Sequence, residues 1–294
     1  MAQQNIKNKM NVVFNELKNL ERFNKKNNLY LMKLLVDTSS SMETYGTTQY
    51  TSVKEFFDDK KNEDNEYENL FSFVTFSSFV KKYQDWTNFK NVNYSTEQLK
   101  EILKPNGSTR LIDTAYEELL DIQVMIQNNK DKYEKIIGVF ALQTDGQDNQ
   151  SNQYTAEDLK EKIKDIEDMG IVCIFLASNQ DAISAGANYG FQKQNSLELS
   201  SLTSTGAYRS LSQAATRYVN STNNDFEGDY EGFTQEERIN SVGPNDNSQF
   251  IPPPPPPYHN SLQPMPSLQR RPSIGPNNIG LNSIESKNNS FFDN

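Results

Sequence analysis

Short apolar runs alternate with segments of helical spacing through the middle of the chain, and this alternation predicts the architecture. LYLMKLLV at 29–36, IIGVFALQ at 136–143 and IVCIFLAS at 171–178 are nearly continuous apolar runs, as expected of strands covered on both faces. FSFVTFS at 71–77 and FVKKYQDW at 79–86 combine aromatic and β-branched residues with a minimal break between them, which predicts an antiparallel hairpin at a sheet edge. Helical spacing falls at about 47–61, 96–103, 111–128, 155–168 and 204–220; in the fourth segment Leu159, Ile163 and Ile166 share one face ahead of Gly170. Strands alternating with helices of this length predict an α/β fold, a doubly wound and mostly parallel sheet flanked by helices. Ligands in such sheets sit at the carboxyl ends of the strands.

The two flanks break this pattern. Residues 1–28 carry six Lys/Arg against two Glu and read as a basic arm or helix, with Val12, Val13, Phe14, Leu17 and Leu20 as its apolar side. From about residue 223 the periodicity is lost, the sequence turns acidic, and ten of the twelve prolines fall between Pro252 and Pro276. Such a segment buries little apolar surface, so 223–294 is expected to be a disordered acidic, proline-rich and Asn-rich tail, dispensable for folding. The expected division is therefore 1–28, a folded domain at 29–222, and the tail.

Composition narrows the chemistry. Only 35% of the residues are hydrophobic, and the net charge of -10 argues against nonspecific binding to nucleic acid. Cys173 is the only cysteine and His259 the only histidine, which excludes an internal disulfide, Cys/His zinc sites and a histidine-based triad in the folded region. The chain contains no apolar run long enough to span a membrane and MAQQNIKNKM has no signal-peptide core, so a cytoplasmic location is expected. Cys173, inside an apolar strand, reads as an inert core residue.

Three polar clusters remain, all at or beside predicted strand ends. VDTSSSM places Asp37, Ser39 and Ser41 at alternate positions after the first strand; TDGQDN places Asp145 at the tip of a later one; PNGSTRLIDTA puts Thr109 in a glycine-containing loop just before a helix, with Asp113 one turn on. Two carboxylates and three hydroxyls are hard donors and match a hard divalent cation on a water-exposed rim. Asp148 reads as a solvated loop charge and Asp181 as the N-cap of the helix AISAGANYG.

These residues resemble the von Willebrand factor type A domain, in its intracellular form, with the family's metal-ion-dependent adhesion site. D-x-S-x-S stands as Asp37, Ser39 and Ser41, the separate threonine as Thr109 and the separate aspartate as Asp145. IFLASNQDAISAGANYGF also looks like a late strand and following helix of that family. The resemblance covers roughly residues 29–220. It implies binding without enzymatic chemistry: Mg²⁺ or Mn²⁺ held by Asp37, Ser39, Ser41, Thr109 and Asp145, Asp113 supporting the loop, and a Glu or Asp carboxylate of a protein partner completing the coordination. A metal-dependent hydrolase or phosphatase of doubly wound fold is the alternative, weakened because Ser39 stands where the second Asp of a D-x-D pair would be. A third reading leaves the metal site unused and assigns all interactions to the tail. There Pro252–Tyr258 is either an unbound spacer or a preformed ligand for WW, SH3 or profilin-type grooves.

Overall fold

The computed structural model describes residues 28–63, 66–145, 148–178, 180–201, 203–223 and 230–242. The basic arm apart from Asn28, and the proline segment Pro252–Tyr258, lie outside the described residues. The strands are β1 (Leu29–Asp37), β2 (Glu68–Phe76), β3 (Val80–Asn88), β4 (Ile136–Thr144), β5 (Ile171–Ala177) and β6 (Ser196–Glu198). They form one sheet in the order β3-β2-β1-β4-β5-β6. All neighbours pair in parallel except β2 with β3, the antiparallel edge hairpin that the aromatic runs predict.

The α-helices of the described residues are α1 (Gly46–Asn62), α2 (Thr96–Ile102), α3 (Leu111–Asn129), α4 (Ala156–Glu167), α5 (Gln180–Asn188), α6 (Ser204–Asn223) and α7 (Gln235–Val242). Side-chain alternation along β1 divides the core between the two faces of the sheet. Tyr30, Met32, Leu34 and Val36 pack with α1, α2 and α6, whereas Leu35 joins the cluster formed with α3 and α4. Cys173 lies in that second cluster, fully buried, and burial pushes its thiol up. Helix α4 starts on a capping box in which Thr155 and Asp158 exchange hydrogen bonds. Helix α5 begins at Gln180, so Asp181 lies within its first turn rather than at the expected cap.

The expected start of the tail at residue 223 requires correction. Residues 230–242 fold back onto the domain and α7 packs along α6. Phe233 is buried, Arg217 forms a two-pronged ion pair with Glu237, and Arg238 donates to the carbonyls of Ser196 and Gln194 beside the short edge strand β6. Gly206 permits the approach of the two helices: a Cβ there would lie 2.4 Å from the Asn240 carbonyl oxygen. Truncation after Asn223 is therefore expected to destabilise the domain by about 2–4 kcal/mol, chiefly through the lost burial of Phe233 and the exposure of what it covers. Truncation after Val242 keeps every contact just named and should leave the urea midpoint unchanged. Equal midpoints for the two truncations would remove α7 from the fold's energetics.

Candidate functional site

The carboxyl ends of β1, β2, β4 and β5 lie along one edge of the sheet because these strands run parallel. β1 ends at Asp37, whose carboxylate accepts hydrogen bonds from the Ser39 backbone N–H at 2.7 Å and the Thr144 hydroxyl at 2.7 Å. The turn after β1 continues into a 3-10 helix at Ser40–Tyr45. Ser39 Oγ lies 3.0 Å from Ser41 Oγ, and Ser41 Oγ donates to Asp145 Oδ1 at 2.8 Å. Four of the five expected site residues are thus joined in one chain of hydrogen bonds running from Thr144 to Asp145.

Thr109 arrives on a separate loop that is clamped to this turn. Asn106 N–H donates to the Thr38 carbonyl and Ser40 N–H to the Gly107 carbonyl, at 2.7 and 3.0 Å. The same loop is tied to the β2–β3 turn: Arg110 N–H donates to the Ser77 carbonyl and Ser108 N–H to Ser78 Oγ. Gly107 has a φ of +86°, and a Cβ there would lie 2.7 Å from Ser78 Oγ, so both conformation and space require glycine. The Thr109 backbone pairs with Asn149, whose Oδ1 accepts its N–H at 2.8 Å. The Thr109 hydroxyl makes no hydrogen bond with the described residues.

The electrostatics of this edge are unbalanced. Asp37 is fully buried rather than standing on a water-exposed rim, and neither Asp37 nor Asp145 forms an ion pair with the described residues. Burial pushes the Asp37 carboxyl up to about 6, with Asp145 adding to the rise, and the hydrogen bonds from Thr144 and Ser39 only partly offset this. Burial likewise raises Asp145, against the pull of Ser41. The side chains gathered here offer only carboxylate and hydroxyl oxygens, a donor set suited to a hard divalent cation. The edge gathers two carboxylates, and among the described residues no three Asp, Glu, Cys or His side chains come together in a group that could hold a metal ion.

Three supporting residues escaped the sequence analysis. Thr144, the first residue of the polar TDGQDN cluster, was given no role, yet its hydroxyl holds Asp37. Asn149 fixes Thr109. Asp148, read as a solvated loop charge, accepts the N–H groups of Leu111 and Ile112 together with the Ser151 hydroxyl, and so satisfies the start of α3. Their shared signal is a run of polar residues, TDGQDNQS, following the tip of a buried strand.

The sequence model of the von Willebrand factor type A domain matches residues 32–224. The chain belongs to this family. No curated protein sequence matches it. Among solved structures, the type A domain here is similar to proximal thread matrix protein 1 from the mussel byssus, at 15% identity and a TM-score of 0.47, covering 65% of this chain and 46% of that one. A second structure of that mussel protein, with a zinc-occupied MIDAS motif, matches at 18% identity and a TM-score of 0.43, covering 66% and 48%. The pilus adhesin SpaC from Lactobacillus rhamnosus GG matches at 14% identity and a TM-score of 0.47, covering 65% and 30%. The chain spans less than half the length of each of these three. Among the described residues of this type A domain, no helix is long and apolar enough to cross a membrane.

Asp113 lies behind the edge and organises it. Its carboxylate accepts the backbone N–H groups of Asn152, Gln153 and Tyr154 at 2.9 to 3.0 Å, and also bonds Arg110. Burial alone would raise its pKa; the backbone donors and Arg110 outweigh that and hold it below the ordinary carboxylate value. Asp113→Ala leaves three donors without their acceptor and should cost about 2–4 kcal/mol. Because the folded pKa is depressed, this contribution is present above the unfolded value of about 3.9 and is lost as pH falls toward the folded pKa. Urea midpoints at pH 7 and pH 3 check both parts: the gap between wild type and variant should narrow on acidification.

Proposed function

We propose that the chain is a non-enzymatic, Mg²⁺-dependent protein-binding module whose metal-ion-dependent adhesion site consists of Asp37, Ser39, Ser41, Thr109 and Asp145. The observation that carries this reading is the pairing of the buried Asp37 carboxylate with the half-buried Asp145 through a chain of hydroxyls, with no cationic partner for either acid among the described residues. Burying the Asp37 carboxylate next to a second acid is costly unless a positive charge joins them. When bound, Mg²⁺ or Mn²⁺ supplies that charge and a coordination position open to an oxygen anion.

Asp37 and Asp145 set the negative charge of the site, while Ser39, Ser41 and Thr109 supply neutral oxygens and leave the cation undercompensated. A Glu or Asp side chain from a protein partner then completes the charge balance. The net charge of -10 would repel an acidic partner at long range, so attraction depends on the cation's local field. Both acids are assigned to cation binding and neither is left to act as a general base, which favours binding over hydrolysis.

Calorimetric titration of the full chain with Mg²⁺ and with Mn²⁺ tests the reading. One weak site, lost in Asp145→Ala, is expected. Absence of binding, or binding unchanged in that variant, would refute the assignment.

A further inference from the structure

The cation site does not stand alone on its edge. A groove of about 400 Å³ begins at Thr38 and Asn106, the two residues whose backbones clamp the site's loops together, and runs beneath the β2–β3 turn. Thr75 and Ser77 contribute to its polar lining, Tyr83 and Ile102 to its apolar lining. Phe79 lines it at the hairpin tip and is 74% exposed. Only Val124 and Ile239 among the other described large apolar side chains are similarly uncovered, and both lie on helices, in α3 and α7.

Lys81 and Lys104 also line the groove, both exposed, and neither makes an ion pair with the described residues. Glu101 is the one acidic side chain in the lining. The groove therefore carries an excess positive charge on a protein that is acidic overall, and it adjoins a site proposed to receive a carboxylate.

We propose that this groove is the specificity half of the binding site, and that its occupant is an extended acidic segment of a protein partner. One carboxylate of the segment reaches the cation, a neighbouring apolar side chain packs on Phe79, and a second carboxylate lies between Lys81 and Lys104. The placement follows from the hydrogen bonds that tie the hairpin tip to the Thr109 loop: Arg110 N–H to the Ser77 carbonyl and Ser108 N–H to Ser78 Oγ hold Phe79 beside the metal-site loops. A peptide that crosses from Thr38 to the hairpin meets these features in succession. Opposite charges raise association and fix register, whereas the exposed aromatic ring gives the desolvated contact that concentrates binding energy. This inference rests on the cation-site reading above.

The test uses a displayed peptide library with an invariant central Glu and randomised flanks, selected on the immobilised full chain in Mg²⁺ and in parallel in EDTA. Enriched peptides should carry an aromatic or large aliphatic residue and a second Asp or Glu on the same side of the central Glu. A synthetic peptide from that set should bind the Lys81→Glu/Lys104→Glu variant about tenfold more weakly, equivalent to about 1.4 kcal/mol. Phe79→Ser should show a loss of similar size. Both variants should titrate Mg²⁺ as the wild type does, which separates a damaged groove from a damaged site or fold. No enrichment, enrichment without flank preference, or peptide binding that changes less than about twofold in both variants would overturn the groove while leaving Mg²⁺ titration to judge the cation site. Enrichment of the same peptides in EDTA would overturn the shared-ligand proposal, and absence of Mg²⁺ binding by the wild type would remove the reading on which it rests.

Discussion

Asp37→Asn should reduce divalent-cation affinity on the order of 100-fold, because the affinity of an oxygen site follows the number of charged ligands it offers. The structure gives this substitution an unusual second signature. Asp37 is buried, has no cationic partner among the described residues, and has its carboxyl pushed up by desolvation first and by Asp145 in addition. In EDTA, the wild type must hold this charge at a cost, which the amide removes. The Asn oxygen can still accept the Ser39 N–H, and the Thr144 hydroxyl can rotate to accept from the amide nitrogen. Asp37→Asn is therefore expected to melt at or above the wild-type temperature in EDTA and below it in saturating Mg²⁺, since only the wild type gains stability by ligation. Asp37→Ala, which deletes the carboxylate that accepts the Ser39 N–H and the Thr144 hydroxyl, should lose stability under both conditions. Thermal melts with and without Mg²⁺ provide the measurement. An Asp37→Asn protein that still gains stability from Mg²⁺ as the wild type does would place the cation elsewhere.

The parts of the fold legible in the sequence are those where one local pattern suffices. β1, β4 and β5 are covered on both faces, so their apolar runs show them directly, and β2 and β3 declare themselves by aromatic content around a short break. β6 has three residues and no period to detect; its identity comes from pairing with β5. α7 was hidden because its sequence is polar and follows an acidic stretch. Its attachment depends on Phe233 and on Glu237 meeting Arg217, a contact between residues 20 apart that periodicity does not encode.

The site divides in the same way. Asp37, Ser39, Ser41, Thr109 and Asp145 were legible as oxygen donors at strand ends, and the structure links four of them directly. Thr144, Asn149 and Asp148 were not, because each acts on a backbone or side-chain group brought near by the folded loop. The depth of Asp37 was equally hidden: the polar turn suggested solvent, while the neighbouring loops exclude it.

Lys33→Met should be the most damaging single substitution in the core, with an expected loss of about 3–5 kcal/mol, the cost of leaving a buried carboxylate without its partner. Lys33 interrupts the apolar run of β1 and is fully buried on the face that packs against α3. Its ammonium contacts the Glu118 carboxylate and lies 2.6 Å from Asp121 Oδ2 and 5.0 Å from the centre of the Trp86 ring. Asp121 also receives Lys82 and the Trp86 indole N–H, each at 3.0 Å. Burial raises Asp121, but Lys33 and Lys82 outweigh it and hold the carboxyl below its ordinary value. Met fills the lysine stem's space but supplies no charge, so among the described cations Glu118 retains only Lys82, at 3.7 Å. Lys33→Met/Glu118→Leu removes both members of the buried pair and should recover at least half the loss, whereas two independent packing defects would add. The network also links structure to function, because it pins α3 to β1 while α3 begins directly after the Thr109 loop and β1 ends at Asp37. Lys33→Met should accordingly loosen the proposed cation site as well as the core, and the double variant should restore the expected Mg²⁺ titration together with the urea midpoint. Recovery of neither would mean that the lysine acts through its packing rather than its charge.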